Sequence, residues 1–447
     1  MYRLSIGLLM GLLGWAWAQN PAPNPWAQFL APLKNYPGLQ QALHGTRAAA
    51  DQVDVLSSPV GFQATGGYSL LNVSPPDAGG PCRPVDPSYQ PNPACFPLPT
   101  SGTQASLGLN FTPFLAGDIG SKVAQANATL AQTQLSLRQT LASLEAQAVL
   151  AANRVKLAQN ALELAKQGES VSKLSVEATQ TRFDKGGATQ LELDQAQQSL
   201  AQAQANRLQA EENLTVARHA LQDLVGITDP PDLPLPALPA DTKPVGVGQA
   251  ELALQKAQAA SDNAQWNSYP VLQLGYTHQV SSNASLNLGI QSRTFQPSLS
   301  LTYQNPSQTV EPYNRINDQF QIGLSVNFSA ATFPALDAAQ QGVAQAQAAL
   351  DAAQRQAALQ LESLKLAYAQ AQRQVELSQN AYALAQRSLQ DAQSREQSGL
   401  GTPLATAQAA LGLYQAGLTQ NQAQLNLLTS ILNVYIFYAQ PLAEVAL

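Results

Sequence analysis

Residues 361–389 read LESLKLAYAQAQRQVELSQNAYALAQRSL, and a seven-residue repeat runs through them. Large side chains occupy one position of the repeat, and mostly small ones follow three residues later, as in the a/d seam of a coiled coil. The first series is Leu361, Tyr368, Val375, Tyr382 and Leu389, and the second is Leu364, Ala371, Ser378 and Ala385. Residues 335–438 are therefore predicted to form two long helices that fold back at SGLGTP, residues 398–403.

The same pattern occurs in the first half of the chain. The letters VAQA stand at 123–126 and again at 343–346, and TQL at 189–191 corresponds to TPL at 402–404. The offsets are 220 and 213 residues, so the two copies differ by one heptad and the seam keeps its register. A period of this length is too long for a solenoid repeat, and it predicts a duplicated elongated unit.

The predicted parts of the chain follow from this duplication. They are a signal peptide at 1–18, a first repeat at 19–228, a proline-rich linker at 229–247 and a second repeat at 248–447. Each repeat should contain a helix, a strand pair and a long helical hairpin. Residues 20–35 are rich in proline and are expected to be extended along a surface.

The first eighteen residues are typical of a secretory signal peptide. They contain Arg3, an apolar run and Ala-Trp-Ala directly before Gln19. A retained membrane anchor is the alternative, but the run is too short to favour it. The mature chain is therefore expected to leave the cytoplasm without a membrane-spanning helix.

Apolar residues alternate with polar or small ones after the first helix of each half. The clearest runs are Leu107, Leu109 and Phe111 in the first half, and Ile322, Leu324, Val326 and Phe328 in the second. Strands of about eleven residues, tilted near 45°, cross roughly 25 Å, which is the apolar thickness of an outer membrane. A half-buried sheet of a soluble protein has the same alternation. The signal peptide and the lack of a helix patterned to cover a sheet favour the membrane.

Four such strands cannot close a barrel within one chain. Open sheet edges are not tolerated in lipid because each unpaired N–H or C=O group costs several kcal/mol. Several chains should therefore share one barrel, and three chains with four strands each would supply twelve. Two further alternating runs lie within 284–304. They fit either a hairpin above the membrane or two additional barrel strands, and their shortness favours the hairpin.

Cys82 and Cys95 lie in a proline-rich loop between the first two strands. In an oxidising compartment they are expected to form a disulfide that staples an extracellular loop. A metal site is the alternative, but further ligands are lacking nearby in the sequence.

The sequence gives no sign of an active site or of a cofactor. Its three histidines, His44, His219 and His278, are scattered and have no cluster of ligands around them. Gly186-Gly187 opens a helix but follows no strand, so a phosphate-binding loop is not indicated. The net charge of −6 provides no basic surface for nucleic acid.

The turns of the two hairpins are the candidate functional sites. They contain Gly186, Gly187 and Thr189 in the first turn, and Gly399, Gly401 and Thr402 in the second. Each threonine is placed to cap the helix that follows it. Glu192 and Asp194 come directly after the first cap. They could simply favour a helix N-terminus, or they could form a ring of acids at a pore mouth, one set from each chain.

The mature chain resembles the TolC-like outer-membrane efflux proteins. The likeness rests on YPGL at 36–39, on YPVL at 269–272 and on Gly-x-x-Thr-x-Leu followed by ELDQAQ between Gly186 and Gln197. No single motif is specific. The order of helix, strand, loop, strand and long hairpin, repeated behind a signal peptide, carries the resemblance.

The resemblance implies a homotrimer in the outer membrane with a long periplasmic extension. Twelve strands would form one barrel, the hairpins would form a tunnel, and the turns would meet an inner-membrane pump through a periplasmic adaptor. Glu192 falls where the family has an aspartate at the first turn. At the second turn this chain has Ala405 and Gln408 where acids are common in the family, so at most one acidic ring is implied.

The fold class expected is mainly α with β: duplicated coiled-coil hairpins and membrane strands that contribute to a shared trimeric β-barrel. The function expected is a passive exit duct for small molecules or proteins across the periplasm and outer membrane. A periplasmic adaptor and a structural coiled-coil spacer of the envelope are the alternatives.

Overall fold

The computed structural model describes residues 25–70, 101–281, 283–305, 317–326 and 330–443. The predicted signal peptide and both cysteines, Cys82 and Cys95, lie outside these residues. The helices are α1 (Pro25–Leu30), a 3₁₀ helix (Ala31–Asn35), α2 (Pro37–Ser57), α3 (Gly117–Asp184), α4 (Gln190–Val225), α5 (Val245–Ser268), α6 (Thr332–Gln397) and α7 (Pro403–Tyr438). The strands are β1 (Val60–Leu70), β2 (Ser101–Phe111), β3 (Val271–Ser281), β4 (Ala284–Gln291), β5 (Pro297–Asn305) and β6 (Asp318–Ser325).

The chain divides into two units. One, the helical unit, comprises residues 1–44, 134–248 and 353–447; the other, the sheet unit, comprises residues 45–133 and 249–352. Each unit takes residues from both predicted sequence repeats. No helix in the described part of the chain combines the length and the apolar character that crossing a membrane requires.

The two long hairpins are present, and the heptad seam in α6 is confirmed. The seam positions from Leu361 to Leu389 are buried or half-buried, whereas most residues between them are exposed. Large and small side chains alternate for a packing reason, since the ring of Tyr382 lies against Gly417 of α7. A Cβ at residue 417 would lie 3.4 Å from that ring, in van der Waals contact with it.

The N-terminal segment is helical where it is described, so the expectation of an extended chain at 25–35 is wrong. Pro25 is the first residue of α1, and the 3₁₀ helix has a proline at one of its first two positions. Helix starts tolerate proline because the N–H groups there lack helical partners anyway. Trp26, Phe29, Leu30 and Leu33 are buried in the main hydrophobic cluster of the helical unit. Burial of these side chains stabilises the segment.

That cluster joins distant parts of the chain within the helical unit. Its members include Leu141, Val149 and Val155 of α3, Leu214, Leu221 and Val225 of α4, and Leu428, Leu432 and Ala443 near the C-terminus. Glu145 is also fully buried there, and one of its carboxylate oxygens accepts a hydrogen bond from the N–H of Leu442.

The linker between the two halves runs along the surface of the helical unit. It has no regular secondary structure up to Pro244, and α5 begins at Val245. Lys156 forms an ion pair with Asp232 at 2.6 Å, and Tyr435 donates a hydrogen bond to the carbonyl of Ala237 at 2.9 Å. The repeated prolines prevent a helix here, and side chains of α3 and α7 hold the segment in place.

The sheet unit contains one six-stranded antiparallel sheet. Its strand order is β1-β2-β5-β4-β3-β6. β4 and β5 are thus central strands of the sheet, and the expectation of a separate hairpin at 284–304 is wrong. The count of four strands per chain is corrected to six for the same reason. The length of a strand does not show whether it belongs to the main sheet, because β6 has eight described residues, as many as β4.

Candidate functional site

The first hairpin turn connects α3 to α4. Gly186 has a φ of +70°, a left-handed conformation that glycine adopts without strain. The N–H of Gly187 donates to the carbonyl of Arg182 at 2.7 Å, and the Arg182 guanidinium donates to the carbonyl of Gly187 at 3.0 Å. These paired bonds close the turn on itself.

A capping box follows in the first turn of α4. The Thr189 hydroxyl accepts the N–H of Glu192 at 3.2 Å, and the Glu192 carboxylate accepts the N–H of Thr189 at 2.6 Å. The Thr189 N–H, its hydroxyl and the charge of Arg182 hold the pKa of Glu192 below its usual value. Asp194 accepts a hydrogen bond from the side-chain amide of Gln190 at 2.8 Å. Both acids are exposed, and both have partners within their own turn.

The second hairpin turn connects α6 to α7 and has different chemistry. Gly399 has a φ of +73°, and the N–H groups of Leu400 and Gly401 both donate to the carbonyl of Arg395. A Cβ at Gly401 would collide with the backbone of Glu396, so this position requires glycine. The Leu400 side chain is 84% exposed. This turn therefore presents an apolar side chain, whereas the first one presents carboxylates beside Leu191, which is also exposed.

The cap of α7 contains no acid. The Thr402 hydroxyl accepts the N–H of Ala405 at 3.2 Å, and Pro403 is the first residue of the helix. Alanine stands here at the third helical position, where Glu192 stands in α4. The first turn thus brings together Gly186, Gly187, Thr189, Glu192 and Asp194, and the second brings together Gly399, Gly401 and Thr402.

The sheet has one apolar face and one polar face. Its pairing aligns residues of all six strands into rows, and successive rows alternate in character. One row is Phe62, Leu109, Leu299, Leu288, Tyr276 and Phe320. The next row, on the opposite face, is Gln63, Gly108, Ser300, Asn287, Thr277 and Gln319. Phe62 is 70% exposed and Phe320 is 66% exposed, so this apolar face has little cover among the described residues.

The polar face is cross-linked by side-chain hydrogen bonds. Asn287 accepts from the Thr277 hydroxyl at 2.8 Å and donates to the Thr302 hydroxyl at 3.3 Å. These bonds join β3, β4 and β5. A wall of amides and hydroxyls of this kind hydrates solutes without binding them strongly.

His278 of β3 lies beside an acidic side chain of the neighbouring strand β6. Its Nδ1 lies 2.8 Å from Asp318, and the Tyr276 hydroxyl donates to the same carboxylate at 2.6 Å. Within the described residues, no three His, Cys, Asp or Glu side chains are grouped closely enough to hold a metal ion.

Sequence reasoning missed two features. The first is Glu145, whose signal is a lone carboxylate in the apolar stretch LASLEAQAVLAA, residues 141–152. The second is Gly117 at the start of α3, where a Cβ would collide with the carbonyl oxygen of Arg293. A glycine before a helix gave no hint of that partner.

The helical hairpins and the sheet described above agree with a comparison of the sequence with models of known protein families. Residues 31–227 match the model of the outer membrane efflux protein family. This segment is similar to members of that family. The match covers the first hairpin turn with Glu192 and Asp194, and it supports the resemblance that the motifs indicate. No curated protein matches the chain by sequence.

Several solved structures share the fold of this chain over almost its whole length. The CmeC outer membrane channel of Campylobacter jejuni is 14% identical with a TM-score of 0.66, over 93% of this chain and 86% of that one. The outer membrane protein VceC of Vibrio cholerae is 18% identical with a TM-score of 0.61, over 94% and 99%. The MtrE outer membrane channel of Neisseria gonorrhoeae is 16% identical with a TM-score of 0.61, over 94% and 90%. The fold is that of the TolC-like channels.

Proposed function

We propose that copies of this chain assemble in the outer membrane into a passive channel for export. The observation that carries the proposal is the sheet itself, which is apolar and exposed on one face and polar on the other. An apolar face toward lipid and a polar face toward a lumen is the arrangement of transmembrane barrels. The match to the outer membrane efflux protein family and the channel relatives support the same location and role.

The open sheet edges support assembly from several copies. β1 and β6 each have one neighbour among the described strands. Their unpaired N–H and C=O groups cannot remain in hydrocarbon, so further strands must cover them. The family resemblance favours three copies.

A passive channel provides a path but does not drive transport, so partner proteins must supply the energy for export. We propose that the two hairpin turns face a periplasmic adaptor and an inner-membrane pump. The exposed Leu400 offers an apolar contact, and Glu192 and Asp194 offer charge. The carboxylates would also act as an electrostatic filter near the mouth. The disulfide between Cys82 and Cys95 remains part of this proposal.

The adaptor and spacer alternatives lack a supporting observation. The family match does not favour a soluble adaptor, and a coiled-coil spacer would not need a two-faced sheet with exposed aromatic side chains.

Conductance of the purified protein in planar bilayers tests the proposal. We expect discrete single-channel steps from the detergent-solubilised assembly, and a particle mass of three copies. A protein that never conducts, or a stable monomer, would refute it.

A further inference from the structure

We propose that β4 and β5 are part of the barrel wall, so that each copy contributes six strands and a trimer closes an eighteen-stranded barrel. This inference rests on the proposed function, since it supposes a barrel shared by three copies. It differs from the twelve strands that the family resemblance implies, and it predicts a wider outer opening.

The order of the strands in the sheet is the first evidence that β4 and β5 belong to the barrel wall. β5 pairs with β2 from Thr103 to Asn110, and β4 pairs with β3 from Gln273 to Ser281. β2 and β3 are therefore separated by two strands. A hairpin that projected above the membrane would leave β2 and β3 side by side, whereas here their hydrogen-bonding groups are used by β5 and β4.

The apolar and polar faces of β4 and β5 are the second line of evidence. β4 and β5 place Leu288 and Leu299 in the apolar row that begins at Phe62 and ends at Phe320. The row on the other face continues through Asn287 and Ser300 of the same strands. An extramembrane hairpin needs no such continuity. Because both strands repeat the apolar and polar sides of their neighbours, they fit the same wall.

The position of the turn between β4 and β5 is the third line of evidence, because its residues contact the segments that connect the sheet to the helices. The N–H of Asp118, at the start of α3, donates to the carbonyl of Arg293 at 3.2 Å. The Arg293 guanidinium donates to the carbonyl of Asn267, near the end of α5, at 3.2 Å. Gln296 donates to the hydroxyl of Thr112, directly after β2, at 2.8 Å.

These contacts place the β4–β5 turn at the end of the sheet where β2 leads to α3 and where β3 follows α5. The turn between β3 and β4, at Asn283, must then lie at the opposite end, because each strand runs once across the sheet. Two strands with one turn at each end cross the whole wall. The tip of a hairpin above the membrane would instead point away from the helices.

Closure with a neighbouring copy also suits six strands. All pairs in the sheet are antiparallel, so β1 and β6 at its two edges run in opposite directions. The β1 edge of one copy can therefore pair with the β6 edge of the next in the same antiparallel manner. Phe62 and Phe320 lie in the same row, so the apolar band would continue across the junction.

The consequence is a larger lumen. With strands about 4.8 Å apart and tilted near 40°, twelve strands give a barrel roughly 24 Å across and eighteen give roughly 36 Å. A barrel of eighteen strands resembles porins in strand number, and such barrels leave an aqueous channel. The outer opening would then admit bulkier cargo than a twelve-stranded barrel does.

A cross-linking experiment separates the two strand orders. Ser106 of β2 is the direct partner of Thr302 of β5, and the same row continues through Ser285 to Gln279 of β3. Two double-cysteine variants are compared in the assembled protein, Ser106→Cys with Thr302→Cys and Ser106→Cys with Gln279→Cys. The unchanged chain gives the background from Cys82 and Cys95, and cross-linked peptides are identified by mass spectrometry.

We expect the 106–302 pair to cross-link at least about tenfold more than the 106–279 pair, because three strand spacings, about 14 Å, separate β2 from β3. Cross-linking of the 106–279 pair, or failure of the 106–302 pair, would overturn the inference. A channel that conducts but joins residue 106 to residue 279 would keep the proposed function and remove only the additional strands.

A second pair of variants tests the position in lipid. Leu299→Arg places a charge on the apolar face of β5, and Ser300→Arg places the same charge on the polar face of the next residue. We expect the first to lower the yield of membrane-inserted assembly at least about tenfold and the second to be tolerated. Equal tolerance would put β5 outside the membrane and overturn the inference. A particle mass of two copies would give twelve strands and would overturn the count of eighteen.

Discussion

The backbone N–H of Leu442 donates a 2.6 Å hydrogen bond to the fully buried carboxylate of Glu145, which ties the last described residues to the middle of α3. The second carboxylate oxygen of Glu145 is buried without a hydrogen-bond partner in the structure. Burial raises the pKa of Glu145 from 4.5 to about 7, and the N–H groups of Leu442 and Ala443 oppose that rise. An ionisable group in this state makes stability depend on pH.

The first prediction concerns that dependence. Between pH 4.5 and 7 the unfolded chain releases the Glu145 proton while the folded chain keeps it, so stability falls as the pH rises through this window. The full loss is about 3 kcal/mol and is complete above pH 7. Glu145→Gln keeps an acceptor for the Leu442 N–H and has no proton to lose. We expect the variant to be more stable than the natural protein at pH 8 and similar to it at pH 4.

Thermal unfolding of both proteins at pH 4, 6 and 8, followed by circular dichroism, measures this difference. Glu177→Gln, an exposed position on the same helix, is the control and should follow the natural protein at every pH. A Glu145→Gln variant with the same pH profile as the natural protein would contradict the assignment.

The second prediction concerns the acids of the first turn. Glu192→Gln with Asp194→Asn removes two charges but keeps the capping box, because glutamine can also accept the Thr189 N–H. We expect reduced cation selectivity and weaker block by multivalent cations in bilayer recordings. Asp391→Asn with Glu396→Gln removes two charges near the second turn and serves as the control. Unchanged selectivity in the first variant would leave helix capping as the sole role of Glu192.

The third prediction separates the two caps. Thr189→Ala removes the two bonds of the hydroxyl, which accepts the Glu192 N–H and donates to the Glu192 carboxylate, whereas Thr402→Ala removes one bond, from the Ala405 N–H. Each loss costs about 1 kcal/mol of helix stability, and the first should cost more. Hydrogen exchange at the N–H groups of Glu192 and Ala405 reports each site separately. Faster exchange at Ala405 than at Glu192 in the respective variants would reverse the expected order.

The fourth prediction concerns the linker. The Tyr438 hydroxyl donates to Asp241 at 3.0 Å, and the Tyr435 hydroxyl donates to the carbonyl of Ala237. Replacing both tyrosines by phenylalanine removes only these two bonds, at about 1 kcal/mol each. We expect faster proteolytic cleavage within the linker, with the hairpins intact. Tyr414→Phe, on the same helix, is the control, and equal cleavage in all three proteins would show that proline stiffness alone holds the linker.

The long-range seam could be predicted because heptads depend only on sequence spacing. Tyr382 and Leu389 of α6 lie where the repeat places them. The alternation around Leu109 likewise identified β2. The neighbours of a strand are a different matter, since the pairing of Leu109 with Leu299 depends on the whole chain and leaves no local signal. For this reason β4 and β5 were assigned to the wrong place.

Buried polar groups and proline segments set the other limit. Proline at residue 25 suggested an extended chain, but the burial of Trp26 and Leu30 outweighs that local preference. The lone carboxylate of Glu145 gave no indication of its partner, because that partner is the backbone of Leu442, far away in the sequence. Both cases depend on tertiary packing, which spacing rules do not include.

The hydrophobic cluster of the helical unit has a consequence for biogenesis. Trp26 and Ala443 belong to the same cluster, although one is among the first described residues and the other is the last. Translocation delivers a polypeptide from one end to the other, so this core cannot close while the chain is still emerging into the periplasm. The leucines that the cluster buries, such as Leu214 and Leu428, would remain open to misassociation during that interval. A holdase chaperone that protects nascent apolar surfaces is therefore an expected requirement for maturation.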